Sequence, residues 1–293
     1  MASRQQIKRR IGSIKNTRQI TKAMQLVAAS KLRRAQEAVV GPRAYAEMAR
    51  SILARVRQSA GGESQFHLFA ERPVKKRLLM VVCSDRGLAG AYNANVIRRM
   101  ITELKADREK GIKTSLVCIG KKAASSASRI QGLEIQAVYQ GLPDKPNADT
   151  LRPILTSVVG LFADQLVDAV DIINTLFIST VNQQVQVRRL LPAGFDEPEE
   201  AETPPALLAG VTIEPSAEVL VRSTTLRLLE AQIYQALLDA AASEHSMRML
   251  AMKSATDNAS DLIDDYTLEY NNARQAAITQ ELAEITGGAE AMK

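Results

Sequence analysis

The sequence has no tryptophan, and only 6 tyrosines and 5 phenylalanines among 293 residues. That scarcity removes the stacking platforms single-stranded nucleic-acid binders use. It also removes the bulky anchors of a helix lying in a membrane surface. Cysteine is limited to Cys83 and Cys118, each inside an apolar run and with no CxxC spacing, so two buried thiols are expected. The two histidines, His67 and His245, are far apart and lack neighbouring ligand types. Neither a metal site nor a Ser/His/Asp or Cys/His constellation can be assembled from them. Catalytic, cofactor-binding and metal-binding residues are therefore expected to be none. No apolar run approaches the roughly 20 residues of a membrane-spanning helix. The start, MASRQQIKRR, lacks the apolar centre of a signal peptide. The expectation is a peripheral protein on the cytosolic side.

From Ser216 to Thr286 glycine and proline are both missing. The segment predicts one long helix, capped by Ser216 with Glu218 in its first turn and ended by Gly287-Gly288. Its stripe reads Leu226, Leu229, Ile233, Leu237, Ala240, Met247, Ala251, Ala255, Leu262, Tyr266, Ala273, Ala277. Such a helix would measure roughly 100 Å, too long to lie inside one domain. The N-terminal block, 1–60, predicts a second helix with a Ser3/Gln6 capping box. Its seam is Ile7, Ile11, Ile14, Thr21, Met24, Ala28, Ala35 and Val39, in steps of three, four or seven. Gly41-Pro42 is expected to kink or interrupt it, and Gly61-Gly62 to stop it.

Charge is divided along the chain. Residues 1–57 hold 14 basic and 2 acidic residues, net +12, and residues 216–293 hold 6 basic and 12 acidic, net −6. The opposite signs favour the two helices lying antiparallel on each other, and small residues in both stripes allow close approach.

The middle, 74–192, alternates. LLMVVC (78–83) and SLVCIG (115–120) read as buried parallel strands. LEIQAVY (133–139), INTLFISTV (173–181) and a half-exposed QVQVRRLL (184–191) follow, with helices over 92–110, 121–130 and 148–169 between them. The order defines a doubly wound, Rossmann-like α/β body inserted between the terminal helices. Residues 193–215 read as an acidic, proline-rich loop and linker before the last helix, 216–288.

SDRGLAGAYN (84–93) follows a buried strand and opens a helix, where a nucleotide-binding fold would hold phosphate. Its Gly87-x-x-Gly90 spacing is neither GxGxxG nor a P-loop. The plainer reading is a tight turn with Asp85 capping and Arg86 exposed. Asp261 and Asp264-Asp265 are helix-surface carboxylates with no histidine or glycine loop beside them, which disfavours acid/base chemistry. From the residues alone, a coiled-coil scaffold carrying a degenerate nucleotide-binding body stays open. So does a basic nucleic-acid-binding protein, which predicts steep salt-dependent binding.

Four stretches resemble the gamma subunits of the rotary F-type ATP synthases: IKNTRQITKAMQLVAASKLRRAQ (14–36), SDRGLAGAYN (84–93), MLAMKSATDNASDLI (249–263) and ARQAAITQELAEITGGA (273–289). They span the chain in order. The resemblance implies a non-catalytic rotor. Its terminal helices turn as an antiparallel coiled coil inside a hexamer of alpha and beta subunits. Its body meets the epsilon subunit and the c-subunit ring, with one copy per complex and no cofactor. It implies beta-subunit contacts at Met24, Arg274, Gln275 and Thr279, a coupling role for Arg248, and a c-ring or epsilon contact at Glu214. It further implies a peripheral position on the cytoplasmic face of the bacterial plasma membrane, touching the membrane only through the c ring, and no nucleic acid.

Overall fold

The computed structural model describes residues 4–59, 67–193 and 217–291. Its elements run α1 (Arg4–Ser59), a 3-10 turn, β1 (Lys76–Val82), α2 (Tyr92–Glu109), β2 (Lys113–Ile119), α3 (Lys121–Ala127), β3 (Glu134–Tyr139), α4 (Ala148–Ala163), β4 (Ala169–Phe177), β5 (Gln183–Leu191) and α5 (Ala217–Ala291). The chain divides into two compact units. One comprises residues 1–29 and 248–293, the other residues 30–247.

In the larger unit a five-stranded sheet has the order β3-β2-β1-β4-β5. The first four strands are parallel and β5 is antiparallel to β4. The central strand explains the continuous apolar run. Side chains of a strand alternate between faces, and here both faces are covered. Leu78, Met80 and Val82 join Ile154, Val158 and Phe162 of α4 and Leu229, Ile233, Ala236 and Leu237 of α5. Leu79, Val81 and Cys83 join Val96 and Met100 of α2 and Ala123 and Ala127 of α3. Burying each Leu or Ile here stabilises by about 1.5–3 kcal/mol. The long C-terminal helix thus serves as one of the sheet's covering helices as well as half of the helical pair.

In the smaller unit the two helices run antiparallel. Arg10 stacks on the Tyr266 ring at 5.9 Å, and the Thr21 hydroxyl bonds the Thr256 hydroxyl at 2.8 Å. An advance along α1 is therefore a retreat along α5. On α1, Ile7 and Ala28 are buried and Ile11, Ile14, Thr21 and Met24 half-buried, as the seam predicts.

Several boundaries differ from expectation. α1 passes through Gly41-Pro42 without a break. Proline fits helical φ, and although it lacks an N–H and its ring crowds the carbonyl four residues back, the long helix absorbs both. α5 continues past Gly287-Gly288 to Ala291, since a helical glycine costs about 1 kcal/mol without forbidding the helix. β4 begins at Ala169, where it pairs with Arg77 of β1, and 178–182 form the turn into β5. α3 and α4 stop at Ala127 and Ala163, short of the predicted 130 and 169. On α5 the buried stripe runs through Met252, Thr256, Ala259 and Ile263, whereas Leu262 is 46% exposed. Neighbouring residues on a helix point about 100° apart, so only one of two adjacent apolar residues can face the partner. The expected caps Ser3 and Ser216, the Gly61-Gly62 stop and the acidic loop lie outside the described residues.

Candidate functional site

The turn after β1, at the β1/β4 switch point where an α/β fold of this topology would receive a nucleotide, and the end of β2 border one space. Here it is filled. Leu237, Ala240, Ala241 and Glu244 of α5 close over Cys83, Ser84, Gly120 and Asp144, leaving a cavity of about 70 Å³. Small-molecule sites run to roughly 300–1,000 Å³. The turn is braced internally. Ser84 Oγ donates to the Arg86 carbonyl at 2.6 Å, and Asn93 Oδ1 accepts from the Ser84 amide at 3.0 Å. Asp85 does not cap α2, whose N-cap is Ala91. Its carboxylate instead accepts from the Lys121 amide at 2.9 Å and the Gly141 amide at 2.8 Å. It caps α3 and ties down the chain after β3, a spatial assignment that turn chemistry around residue 85 could not foretell. Gly120, at φ 92°, passes so near β1 that a Cβ would lie 2.1 Å from the Cys83 carbonyl oxygen.

Both thiols are buried and free. Burial pushes Cys83 up to about 12, with Cys118 and Glu244 adding to it, and Cys118 up to about 11. Neither is a nucleophile near neutral pH. Among the described residues no three His, Cys, Asp or Glu are placed to hold a metal ion. No described helix is long and apolar enough to cross a membrane.

Two charged arrangements were not foreseen. Arg77 reaches Asp171, Glu103 at 2.9 Å and Asp107 at 3.0 Å, and Arg189 also pairs with Asp171. Thr114 donates to Asp107 at 2.7 Å. Burial alone would lower the Arg77 pKa, but Asp171, Asp107 and Glu103 outweigh it and hold the guanidinium above its ordinary value. The second arrangement centres on Asp144, in the loop after β3. Its carboxylate accepts from Lys31 of α1 at 3.1 Å and meets His245 of α5 at 3.0 Å.

The implied contact residues lie on the helical pair. Met24 and Arg248 are half-buried, and Arg274, Gln275 and Thr279 are exposed on α5. The Thr279 hydroxyl bonds back to the Gln275 carbonyl at 3.0 Å, leaving the helix face smooth. Glu214 lies outside the described residues. Large apolar residues are exposed on the same helices: Ile20, Leu26 and Val27 on α1, and Leu268, Ile278, Leu282 and Ile285 on α5.

A long antiparallel helical pair with an α/β body inserted in it, its nucleotide crevice closed, defines a mechanical or scaffolding subunit. The ATP synthase family matches residues 3–292. ATP synthase gamma chains from Acidithiobacillus ferrooxidans and Pelotomaculum thermopropionicum are 40% and 42% identical over 292 and 293 residues, covering all of both chains. A chain from the central stalk and c ring of the Tetrahymena thermophila mitochondrial ATP synthase shares the fold (TM-score 0.63, 23% identity, 80% of this chain and 99% of that one). So does one from the Euglena gracilis enzyme (TM-score 0.67, 20% identity, 98% and 93%). The chain belongs to the ATP synthase gamma-chain family. It is a non-catalytic subunit, the central-stalk rotor of an F-type ATP synthase.

Proposed function

We propose that residues 1–60 and 216–288 form the turning shaft, that 74–192 form the body against the epsilon subunit and c ring, and that 193–215 form a variable acidic loop and linker. One copy sits in each complex, within a hexamer of alpha and beta subunits. The complex works at the cytoplasmic face of a bacterial plasma membrane, and the chain reaches that membrane only through the c ring. Ion flow turns the ring, the ring turns this chain, and the asymmetric shaft drives the beta subunits through binding, synthesis and release of ATP. In this reading Met24, Arg274, Gln275 and Thr279 touch beta subunits, Arg248 serves coupling, and Glu214 faces the c-ring side.

The observation that carries it is the outward face of the helices. Ile278, Leu282 and Ile285 are 47%, 58% and 68% exposed. Their spacing puts them on one face of α5, and an exposed apolar stripe of this kind calls for a surrounding surface. Small and polar residues beside them, Ala276, Ala277 and Thr279, allow turning without deep interlocking.

The test is reconstitution with alpha and beta subunits from the same source. One copy per hexamer, with faster sustained ATP hydrolysis than the mixture lacking this chain, supports the reading. No complex and no change, with every subunit folded, would favour the scaffold reading, and steeply salt-dependent DNA binding would favour the nucleic-acid one.

A further inference from the structure

Within the larger unit, one carboxylate of the α/β body reaches both long helices. Lys31 Nζ donates to Asp144 Oδ2 at 3.1 Å, and His245 Nε2 lies 3.0 Å from Asp144 Oδ1. Lys31 and His245 are each within a few residues of where their helix leaves this unit, at Ser30 and Met247. We propose that Asp144 is a positioning residue for coupling: it grips both helices at the body's edge, so that torque applied to the body turns the pair as one piece. The proposal builds on the rotor reading above.

The physical argument is directional. α5 is fixed to the sheet by apolar packing and by bonds from Ser246 to the Thr180 carbonyl at 2.7 Å and from Gln183 to Ser246 at 3.2 Å. Among the described side chains of α1 in this unit, Leu32, Ala35 and Val39 are buried. Apolar contact of that kind is non-directional and does not by itself single out one angle of approach. A hydrogen bond from Lys31 and a close contact with His245 bring both helices to a single carboxylate, and the Lys31 arm carries an angular preference. His245 is 3% exposed, so its arm is sheltered from water, whereas the Lys31 and Asp144 side chains are each about half exposed. The contact with His245, followed by Lys31, holds the Asp144 carboxyl well below its usual range, so the carboxylate stays ionised. An exposed pair of this kind adds little to stability. Its use is therefore geometric, and coupling is the readout that separates it from a structural role.

The experiment uses the assembled ATP synthase in vesicles, measuring ions pumped per ATP hydrolysed. The unaltered complex must pump on hydrolysis; if it does not, the rotor reading itself fails. Given that, Asp144→Ala should assemble, hydrolyse ATP, and pump severalfold less per ATP. His245→Leu keeps the buried volume but deletes the polar contact, and should lose coupling. His245→Gln, which keeps a polar group beside Asp144, should keep it. In Lys31→Cys/Asp144→Cys, coupling should be low and should recover when a short bis-maleimide joins the two thiols in the assembled complex. Cys83 and Cys118 are too buried and too weakly acidic to compete for the reagent. Unchanged pumping per ATP in Asp144→Ala, equal coupling in the two His245 variants, or no recovery on cross-linking would each overturn the proposal.

Discussion

Arg77 carries the most exposed consequence of the buried charge arrangement. Its side chain is 10% exposed, and those of Asp171, Asp107 and Glu103 are 3%, 6% and 16%. With Arg99 on Glu103 and Arg189 on Asp171, three cations face three carboxylates. Arg77→Met removes one cation and leaves the acids inside. An uncompensated buried charge costs about 3–5 kcal/mol, a large part of the roughly 5–15 kcal/mol that holds a domain folded. Hydrogen exchange by mass spectrometry in the assembled complex reads this locally. Amides of β1, at the sheet's centre, should exchange about 10²- to 10⁴-fold faster than in the parent. Arg77→Lys should fall between, because an ammonium cannot reproduce the forked guanidinium bonds. Neutralising the orphaned acids, with Asp107→Asn and Asp171→Asn added to Arg77→Met, should recover much of the loss. If Arg77→Met leaves β1 exchange within about fivefold of the parent, or if the added changes slow nothing, the arrangement is not what holds this corner together.

Three further outcomes are expected. Gly120→Ala places a Cβ against the Cys83 carbonyl at a positive φ; backbone cannot yield as a side-chain tip can, so the loss should be about 3–5 kcal/mol, read as a fall in Tm of about 10 °C or more, and a near-parental Tm would refute the close approach. Asp144 has a lowered pKa in the folded chain, so the small stability it contributes is present above the ordinary carboxylate range and is lost as pH falls through that range and beyond; the Tm gap between parent and Asp144→Asn, small even at about pH 6, should narrow towards about pH 3, and a widening gap would contradict the sign. Met24→Lys puts a cation on the half-buried seam position expected to face a beta subunit; it should add an ion pair there and lower the ions pumped per ATP, and an unchanged ratio would remove Met24 from the contact.

Much of this fold is legible because periodicity reports burial directly. Leu78 to Cys83 has no polar interruption because helices cover both faces of β1. Ile7 to Ala28 repeats in threes and fours because one helix faces it. What periodicity cannot give is a choice between adjacent apolar residues, hence Leu262 and Ile263, or which distant amides a carboxylate will meet, hence Asp85. The Arg77 arrangement did leave a signal. Asp171 interrupts AVDIIN, and a charge inside a strand buried on both faces requires a partner. Nothing local named that partner, since Arg77, Asp107 and Arg189 come from three other elements. The Asp144 grip left less, because one arm is a loop residue and the other two lie some two hundred positions apart. The beta-subunit contacts and Glu214 depend on surfaces of other chains, which no single-chain pattern encodes.

The closed crevice and the long C-terminal helix have one explanation. In a nucleotide-binding fold of this strand order, the space beyond the end of β1 is kept open for phosphate, with a glycine-rich turn admitting it. Here Leu237, Ala240 and Ala241 occupy that space, and the turn's polar groups bond one another. A helix that must carry torque has to be anchored over a long stretch on something rigid, and the ready-made crevice of a parallel sheet offers a concave apolar seat along its covering face. Filling the seat removes any ligand chemistry and gains a fixed base for the helix. Of the residues that would mark a degenerate enzyme, Gly120 is then retained for packing: its close approach to Cys83 brings the ends of β1 and β2 together beneath the seat.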